Sequence, residues 1–190
     1  MKKYLLLLLL AYFSLEAQIV NIPDANFKAK LLAATTTNFI ASTGSPYYSE
    51  FYNNWSPASS QVVDTNGDGE IQVAEAQAIK SLDLKYSNIS NLTGIEYFTN
   101  LKTVKLKFNS IDTFNASTLI NLEYLDLYLN GLQSLTLGEG LTQLSYLDCS
   151  SNQLTALDVT GCTGLVTLKC GTNNINGLVI SDLPNLVTLA

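Results

Sequence analysis

The sequence predicts an α/β fold in which parallel strands stack into a solenoid behind a small helical N-terminal cap. Two observations lead to this prediction. Between residues 79 and 190 the chain repeats a segment of 21 or 22 residues, which indicates one structural unit used several times. Within each segment, apolar and polar residues alternate as they do along a strand that is buried on one side. Residues 18–78 show no such repeat and carry helix and loop signals instead.

The repeat is clearest at the fourth position of each segment, which is always apolar. The segments are IKSLDLKYSNI from Ile79, LKTVKLKFNSI from Leu101, LEYLDLYLNGL from Leu122, LSYLDCSSNQL from Leu144, LVTLKCGTNNI from Leu165 and the shorter LVTLA from Leu186. Their fourth positions are Leu82, Val104, Leu125, Leu147, Leu168 and Leu189, at steps of 22, 21, 22, 21 and 21 residues. This constant spacing predicts five complete repeats and a truncated sixth.

The pattern resembles that of the leucine-rich repeat family, L-x-x-L-x-L-x-x-N-x-L, from residue 79 to residue 190. The resemblance implies one short parallel strand per repeat, with the strands forming the concave face. Units of this kind are also similar to those of secreted proteins of the Bacteroidetes group and, more distantly, of internalin-like surface proteins. A solenoid that stopped in mid-strand at Ala190 would expose its core, so we expect this sequence to be part of a longer protein.

Two columns of side chains are predicted to face the interior. One is apolar and contains Leu84, Leu106, Leu127, Cys149 and Cys170. The other consists of asparagines, whose amides would satisfy buried backbone groups of the turns: Asn109, Asn130, Asn152 and Asn173. In the first repeat Ser87 takes the asparagine's place, as expected of an atypical terminal unit.

The returns between the strands are of two kinds. In residues 92–101, LTGIEYFTNL, apolar residues three apart predict a short helical or 3₁₀ passage. Later returns carry an apolar pair two residues apart, which predicts extended segments on the convex side. These pairs are Leu135 and Leu137, Leu157 and Val159, and Leu178 and Ile180.

The first residues, MKKYLLLLLLAYFSLEAQ, have the layout of a secretory signal peptide over residues 1–17. Two lysines precede an apolar run from Tyr4 to Phe13, and the small residue Ala17 suits a cleavage site. The run is too short to cross a bilayer, which requires roughly 20 apolar residues. We therefore expect a secreted or outer cell-surface protein with no membrane span after removal of the signal.

Residues 18–78 are expected to form the cap. Asp24 and the spacing of Phe27 and Leu31 predict an amphipathic helix over residues 24–34. Residues 42–60, STGSPYYSEFYNNWSPASS, are typical of a loop, and its aromatic side chains either pack on the cap or bind sugar or protein. A second helix is predicted from Val73 toward the first repeat.

Residues 64–75, DTNGDGEIQVAE, match the ligand positions of an EF-hand calcium loop, with Gly69 at its sharp turn. Hard oxygen donors at all six positions favour Ca²⁺ over zinc or copper. No helix is predicted before the loop and no second loop follows, so the resemblance is to single calcium loops such as those of dockerin modules. The alternative is a polar turn that binds no metal. The predicted ligands are Asp64, Asn66, Asp68, Glu70, Gln72 and Glu75.

A calcium ion in this loop is predicted to be structural. The loop lies where a solenoid needs a polar cap over its first repeat. Extracellular modules bind calcium at about 10⁻⁴ to 10⁻³ M, and binding would stabilise the cap by mass action. A regulatory role is disfavoured, because extracellular calcium is seldom scarce.

The outward residues of the strands form a candidate binding face of mixed charge around tyrosines. Its central row is Asp83, Lys105, Asp126, Asp148 and Lys169. Tyrosine offers contact area together with a hydrogen bond, as recognition surfaces require. The alternative is an ordinary solvated face whose tyrosines support cross-strand packing. The candidate ligand-binding residues are Tyr124, Asp126, Tyr128, Tyr146 and Asp148.

The three cysteines are predicted to be buried small hydrophobic residues. Cys149 and Cys170 occupy an inward column, and Cys162 aligns with the apolar Leu183. An odd number leaves at least one thiol unpaired within the chain. A bridge between Cys149 and Cys170 is the alternative.

Composition excludes some functions. The sequence has no histidine, and no acid–base pair or nucleophile constellation can be assembled, so we predict that it is not an enzyme. A formal charge of −6 and the absence of a Lys/Arg cluster disfavour a nucleic-acid partner. The resemblance implies adhesion through a protein or glycan ligand bound on the concave face. The alternative function is a structural spacer or targeting region in a larger surface protein or enzyme.

Overall fold

The computed structural model describes residues 18–44, 47–49, 54–56, 59–180 and 182–190. Side chains are described for residues 18–44, 59–180 and 182–190. The predicted signal peptide and the aromatic side chains of the predicted loop therefore lie outside the described residues.

A seven-stranded sheet forms the concave face and confirms the predicted solenoid. Its first pair is antiparallel and the remaining strands are parallel, in the order β1 (Ala41–Ser42), β4 (Ser81–Asp83), β5 (Thr103–Lys105), β7 (Tyr124–Asp126), β9 (Tyr146–Asp148), β11 (Thr167–Lys169) and β13 (Thr188–Leu189). The register places the six predicted fourth positions, from Leu82 to Leu189, directly beside one another. The repeat length therefore fixes the strand register.

The interior column is apolar, as predicted. Leu84, Leu106, Leu127 and Cys149 are completely buried. Cys170 is only half-buried, because it lies in the fifth repeat, near the open end of the array. One continuous core runs from Val20 in the cap to Leu168 in the fifth repeat.

The asparagine column forms a hydrogen-bonded ladder, which confirms the predicted role of the amides. The Asn152 Nδ2 group donates to the carbonyl oxygens of Leu127 and Cys149, both at 3.0 Å. Its Oδ1 atom accepts from the N–H groups of Asn130 at 3.2 Å and Leu132 at 3.0 Å. Each amide therefore joins its own turn to a neighbouring repeat. The same pattern recurs at Asn109, Asn130 and Asn173.

A second set of amides joins the returns and was not predicted. Asn100, Asn121 and Asn185 each donate from Nδ2 to a carbonyl oxygen of the unit before their own, at 2.7, 2.9 and 3.2 Å; that unit is the cap for Asn100 and a repeat for the other two. Their acceptors belong to Gln77, Thr99 and Thr163. The sequence does contain a signal for these bonds, because Asn100 and Asn121 are one repeat apart and form a second column of asparagines.

The returns follow the two predicted kinds. The first contains a 3₁₀ turn at Ile95–Tyr97. Later returns form convex strands β6 (Thr113–Asn115), β8 (Ser134–Thr136), β10 (Ala156–Asp158) and β12 (Gly177–Val179). These strands make two parallel pairs, β6 with β8 and β10 with β12. Strand β6 was not predicted, although Phe114 and Ala116 show the same spacing of an apolar pair.

The cap contains two short helices, α1 (Ala25–Leu32) and α2 (Val73–Ala78), in the predicted places. Asp24 caps α1, and Phe27 and Leu31 on its inner face are completely buried. Between the helices, strands β2 (Tyr47–Ser49) and β3 (Asn54–Ser56) form an antiparallel hairpin where the sequence predicted a loop. The Tyr and Trp residues in this segment favour extended backbone, but the many Ser, Asn, Gly and Pro residues around them indicated a loop.

Asp24 also joins the cap to the first repeat. Its Oδ1 atom accepts from the N–H groups of Asn26 and Phe27, both at 2.9 Å. Its Oδ2 atom accepts from the N–H groups of Ser90 at 2.9 Å and Asn91 at 3.0 Å. Burial raises the pKa of this carboxyl, but the N–H groups outweigh that effect and the net pKa is lowered. One carboxylate thus serves a helix end and the turn after β4.

Candidate binding face and calcium loop

The concave face carries a stacked pair of tyrosines in the third and fourth repeats. In-register pairing of β7 with β9 places Tyr124 beside Tyr146. Their ring centroids are 4.4 Å apart and the rings are 7° from parallel. The Lys169 ammonium lies 5.3 Å from the Tyr146 ring centroid, and the Tyr146 hydroxyl donates to Asp148 at 3.3 Å. Tyr124 and Tyr146 are called the concave tyrosine pair below.

Charged side chains beside the pair neutralise one another. Lys85 contacts Asp83 at 3.0 Å, Lys107 contacts Asp126 at 3.8 Å and Lys169 contacts Asp148 at 3.9 Å. Asp126 also accepts from the Tyr128 N–H group. The central row is therefore a set of ion pairs and not a patch of one sign.

Part of this row is withdrawn from water, unlike an ordinary solvated strand face. Lys105, Asp126 and Tyr124 are only 5 to 6% exposed. Desolvation raises the pKa of Asp126 and of both tyrosines of the pair, and it lowers the pKa of Lys105. Each shift disfavours the charged form, so burial dominates the electrostatics here.

The structure gathers four of the five candidate ligand-binding residues. Tyr124, Asp126, Tyr146 and Asp148 lie on neighbouring strands. Tyr128 is directed instead toward Phe108, with ring centroids 5.5 Å apart and planes at 83°. It belongs to a different aromatic cluster, because it follows β7 by two residues.

That cluster, which we call the aromatic ridge, contains Tyr86, Phe108 and Tyr128. Tyr86 stacks on Phe108 with ring centroids 4.5 Å apart and planes at 11°. Tyr86 is 67% exposed. Sequence reasoning missed Tyr86 and Phe108, although they occupy equivalent positions one repeat apart.

The predicted calcium loop is a tight turn stabilised by its own side chains. Asp64 accepts from the N–H groups of Gly67 at 2.8 Å and Gly69 at 3.0 Å. Both glycines have a positive φ, 72° and 80°, which explains their presence at these positions. Asn66 and Gln72 both donate to Asp68 Oδ2, at 2.8 and 2.9 Å.

The remaining predicted ligands contact other groups. Glu70 forms an ion pair with Lys28 of α1 at 2.7 Å. Glu75 accepts from the Thr65 N–H group at 2.7 Å and from the Gln72 N–H group at 3.0 Å. Over the described part of the chain, no three His, Cys, Asp or Glu side chains form a group that could hold a metal ion. Among the six predicted ligands, hydrogen bonds between side chains join Asn66, Asp68 and Gln72.

The loop also has a pairing partner that the sequence did not reveal. Ile19 and Gln72 form an antiparallel bridge, in which Val20 donates to the Ile71 carbonyl and Val73 donates to the Gln18 carbonyl, both at 2.8 Å. The N-terminal segment thus stands where a second loop would pair. Ile71 below the bridge is completely buried.

The three thiols are free, and Cys149 and Cys162 are buried as predicted. Desolvation raises the pKa of Cys149 to about 12 and that of Cys162 to about 11. Both thiols are therefore protonated at neutral pH, which disfavours nucleophilic chemistry.

Comparison with solved structures supports the fold. An internalin (inlF) from Listeria monocytogenes str. 4b F2365 is similar with a TM-score of 0.67 and 19% identity, over 93% of this chain and 46% of that one. The functional domain of InlJ from Listeria monocytogenes, which includes a cysteine ladder, gives a TM-score of 0.53 and 22% identity, over 91% of this chain and 38% of that one. The LRR ectodomain of the receptor kinase SOBIR1 from Arabidopsis thaliana gives 0.50 and 15%, over 91% of this chain and 99% of that one.

These similarities show that the fold is a leucine-rich-repeat solenoid. The chain spans less than half the length of the two internalin chains. No protein-family model and no curated protein matches the sequence. Among the described residues, no helix has the length and apolar character needed to cross a membrane.

Proposed function

We propose that this protein is secreted or held at the cell surface and mediates adhesion by binding another protein on its concave face. The concave tyrosine pair carries the proposal. Tyr146 is half-buried, so it retains surface for a partner, while Tyr124 and Lys169 hold its ring in place. Tyrosines fixed in this way contact a partner with little loss of conformational freedom, and they are frequent at the centres of protein interfaces.

The charges around the pair support specific rather than purely electrostatic binding. Asp126 and Asp148 are paired with lysines, so a partner must match hydrogen-bonding groups and not only a net charge. Solved structures of the same fold include an internalin and a receptor ectodomain, which agrees with an extracellular role. Fold alone does not identify the partner.

The test uses beads coated with the secreted chain on panels of immobilised cell-surface and matrix proteins. We expect saturable binding to a protein, and a loss of at least tenfold in affinity for Tyr146→Ala with Asp148→Ala. Ser134→Ala with Thr136→Ala, two exposed positions on convex strand β8, is the matched control and should bind normally. Binding that ignores the Tyr146 and Asp148 changes contradicts the proposal. No binding on any panel would favour the spacer role.

We further propose that residues 64–75 bind a structural Ca²⁺ ion. Asn66, Asp68 and Gln72 already contact one another, and the loop turns at Gly67 and Gly69 as a calcium loop requires. The two amide groups donate N–H to Asp68 in this structure. Rotation of each amide would present its carbonyl oxygen, which is a suitable calcium ligand.

The position of the loop suits an ion that fastens the cap to the solenoid. On one side, residues 18–20 bond to the loop through the bridge of Ile19 with Gln72. On the other side the same segment packs on Gly94, where an added Cβ would lie 2.8 Å from the Ile22 side chain and 2.9 Å from the Asn21 carbonyl oxygen. Order in the loop is therefore transmitted to the first repeat through residues 18–22.

Calcium binding is tested by thermal unfolding in millimolar calcium and in chelator. We expect calcium to raise the Tm of the wild-type chain and to leave Asp68→Asn unchanged. In chelator, Asp68→Asn should stay close to the wild type, because Asn retains an acceptor for the Glu70 N–H group and the Asn66 and Gln72 amides can rotate to accept from its NH2 group. Asp158→Asn removes an exposed charge at the end of convex strand β10, outside the loop, and serves as the control. A wild-type Tm that is indifferent to calcium contradicts this part of the proposal.

A further inference from the structure

We infer that the aromatic ridge binds a neutral carbohydrate chain, at a site separate from the concave tyrosine pair. Tyr86, Phe108 and Tyr128 follow β4, β5 and β7 and lie on three successive repeats. Phe108 covers one face of Tyr86, yet the Tyr86 residue remains 67% exposed. The ridge therefore presents aromatic surface that the core does not use.

The choice of residues in the ridge opposes the backbone preference. The position that follows each strand by three residues has a left-handed conformation in five repeats, at Tyr86 (φ 52°), Phe108 (59°), Leu129 (51°), Ser151 (56°) and Thr172 (54°). Glycine and asparagine adopt this conformation most easily, and large side chains pay for it in conformational energy. The first three repeats nevertheless carry large apolar residues there, of which Tyr86 and Leu129 are exposed. Strain that packing does not require points to a function.

The charge pattern along the ridge indicates an uncharged ligand. Lys85 beside Tyr86 is neutralised by Asp83 at 3.0 Å, and Lys107 beside Phe108 lies 3.8 Å from Asp126. An acidic or a basic chain would have to break these pairs to bind. The same groups offer N–H donors and carboxylate acceptors to a neutral polar molecule without separating.

A pyranose ring matches both properties. Its C–H bonds form an apolar face that can lie on the open surface of Tyr86, while its hydroxyls can exchange hydrogen bonds with polar groups such as those of the Asp83–Lys85 pair. A protein partner fits less well, because a stable protein interface needs about 800 Å² on each side and a desolvated anchor pocket. The ridge covers only three repeats, and two of its rings already cover each other's faces.

The test is a glycan array of neutral, sialylated and sulfated oligosaccharides, probed with the secreted chain and with two double variants. Tyr86→Asn with Phe108→Asn removes both stacked rings and relaxes the left-handed backbone, so the variant should fold at least as well as the wild type. Ser151→Asn with Thr172→Asn introduces asparagine at the equivalent positions of the fourth and fifth repeats, where no aromatic ring is lost. We expect the wild type and the Ser151/Thr172 variant to bind neutral glycans equally. The Tyr86/Phe108 variant should lose at least tenfold in affinity while keeping its Tm.

Three results would overturn the inference: no binding to neutral glycans, binding to sulfated or sialylated glycans alone, or full binding by the Tyr86/Phe108 variant. None of them affects the proposed adhesion, which depends on Tyr146 and Asp148. Conversely, protein binding lost with Tyr146→Ala and Asp148→Ala leaves the ridge intact. The two experiments therefore test the aromatic ridge and the concave tyrosine pair independently.

Discussion

The two ends of the first repeat are joined to their neighbours by different means. Toward the cap, the contacts are the two-residue antiparallel pairing of β1 with β4 and a few side-chain hydrogen bonds, chiefly those of Asp24. Toward the second repeat, the joint is repeated backbone pairing reinforced by the Asn109 amide. Between repeats, the same pairing and the same amide recur at equivalent positions, whereas the junction with the cap combines a shorter strand pair with hydrogen bonds that occur only once, such as those of Asp24. Loss of one asparagine of the ladder should therefore destabilise the whole array, whereas loss of Asp24 should weaken only the junction between the cap and the first repeat.

The largest effect is expected at the centre of the asparagine ladder. Asn152→Ala removes bonds to Leu127, Cys149, Asn130 and Leu132 and leaves buried backbone groups without partners. We expect a loss of about 3 kcal/mol or more in the free energy of unfolding. Urea denaturation measures it. A loss below about 1 kcal/mol would show that water replaces the amide, and the ladder would then not distinguish the array from the cap.

The next effect concerns close approach of the backbone in the later returns. A Cβ at Gly164 would lie 2.3 Å from the Thr142 carbonyl oxygen, so Gly164→Ala forces two repeats apart. We expect a loss of about 2 kcal/mol. At Gly177 the nearest atom to an added Cβ is the Ala156 Cβ at 3.8 Å, an ordinary contact. Gly177→Ala should therefore be nearly neutral in the same denaturation experiment, and equal losses for both variants would contradict this explanation.

A smaller effect is expected at the junction with the cap. Asp24→Ala removes a helix cap and the bonds to Ser90 and Asn91, for a loss of about 1 to 2 kcal/mol at neutral pH. Hydrogen exchange should show faster opening of residues 25–32 and unchanged protection in the fourth and fifth repeats. Uniform loss of protection would mean that cap and array unfold as one unit.

The same junction should weaken in acid. The folded state lowers the pKa of Asp24, so its contribution is present above the ordinary aspartate pKa of about 4 and is lost as the pH falls through the folded value. We expect the stability difference between wild type and Asp24→Asn to shrink below pH of about 4. If the stability difference stayed constant down to pH 2, the charge of Asp24 would not be what stabilises the junction between the cap and the first repeat.

The smallest effect is expected at Ser87, the terminal counterpart of the ladder asparagines. Its hydroxyl donates only to the Lys85 carbonyl at 2.9 Å. Ser87→Ala should therefore cost about 1 kcal/mol or less. A loss as large as that of Asn152→Ala would show that the first repeat depends on its turn residue as much as the inner ones do.

The solenoid could be predicted from the sequence because the same pattern of apolar residues recurs in every repeat, although a single short pattern would not distinguish a strand from a helix. One leucine predicts little, but six at constant spacing fix the strand register from Leu82 to Leu189, and four asparagines predict their own hydrogen bonds. The cap has no repeat, so its strand pair β2–β3 was predicted as a loop and the bridge at Ile19 was missed. Pairing of Ile19 with Gln72 joins residues far apart in sequence and follows no local signal.

The candidate site shows the same limit. In-register strands placed Tyr124 beside Tyr146, as the repeat implied. The burial of Lys105 and Asp126 was not predicted, since alternation assigns both to the outer face of their strands. The aromatic ridge was missed because Tyr86 and Phe108 fall in turns, where side-chain direction depends on a positive φ that alternation does not reveal.

The division of the convex strands into two pairs has a mechanical consequence. Strand β8 pairs with β6 and strand β10 pairs with β12, while a cleft of about 330 Å³ lined by Leu135 and Leu157 lies between the pairs. The concave sheet is continuous across this point through β7 and β9. The second and third repeats are therefore joined by pairing on both faces, and so are the fourth and fifth. The third and fourth repeats are joined by concave pairing alone. Under load, the array should therefore bend more easily between its third and fourth repeats than between the second and third or between the fourth and fifth.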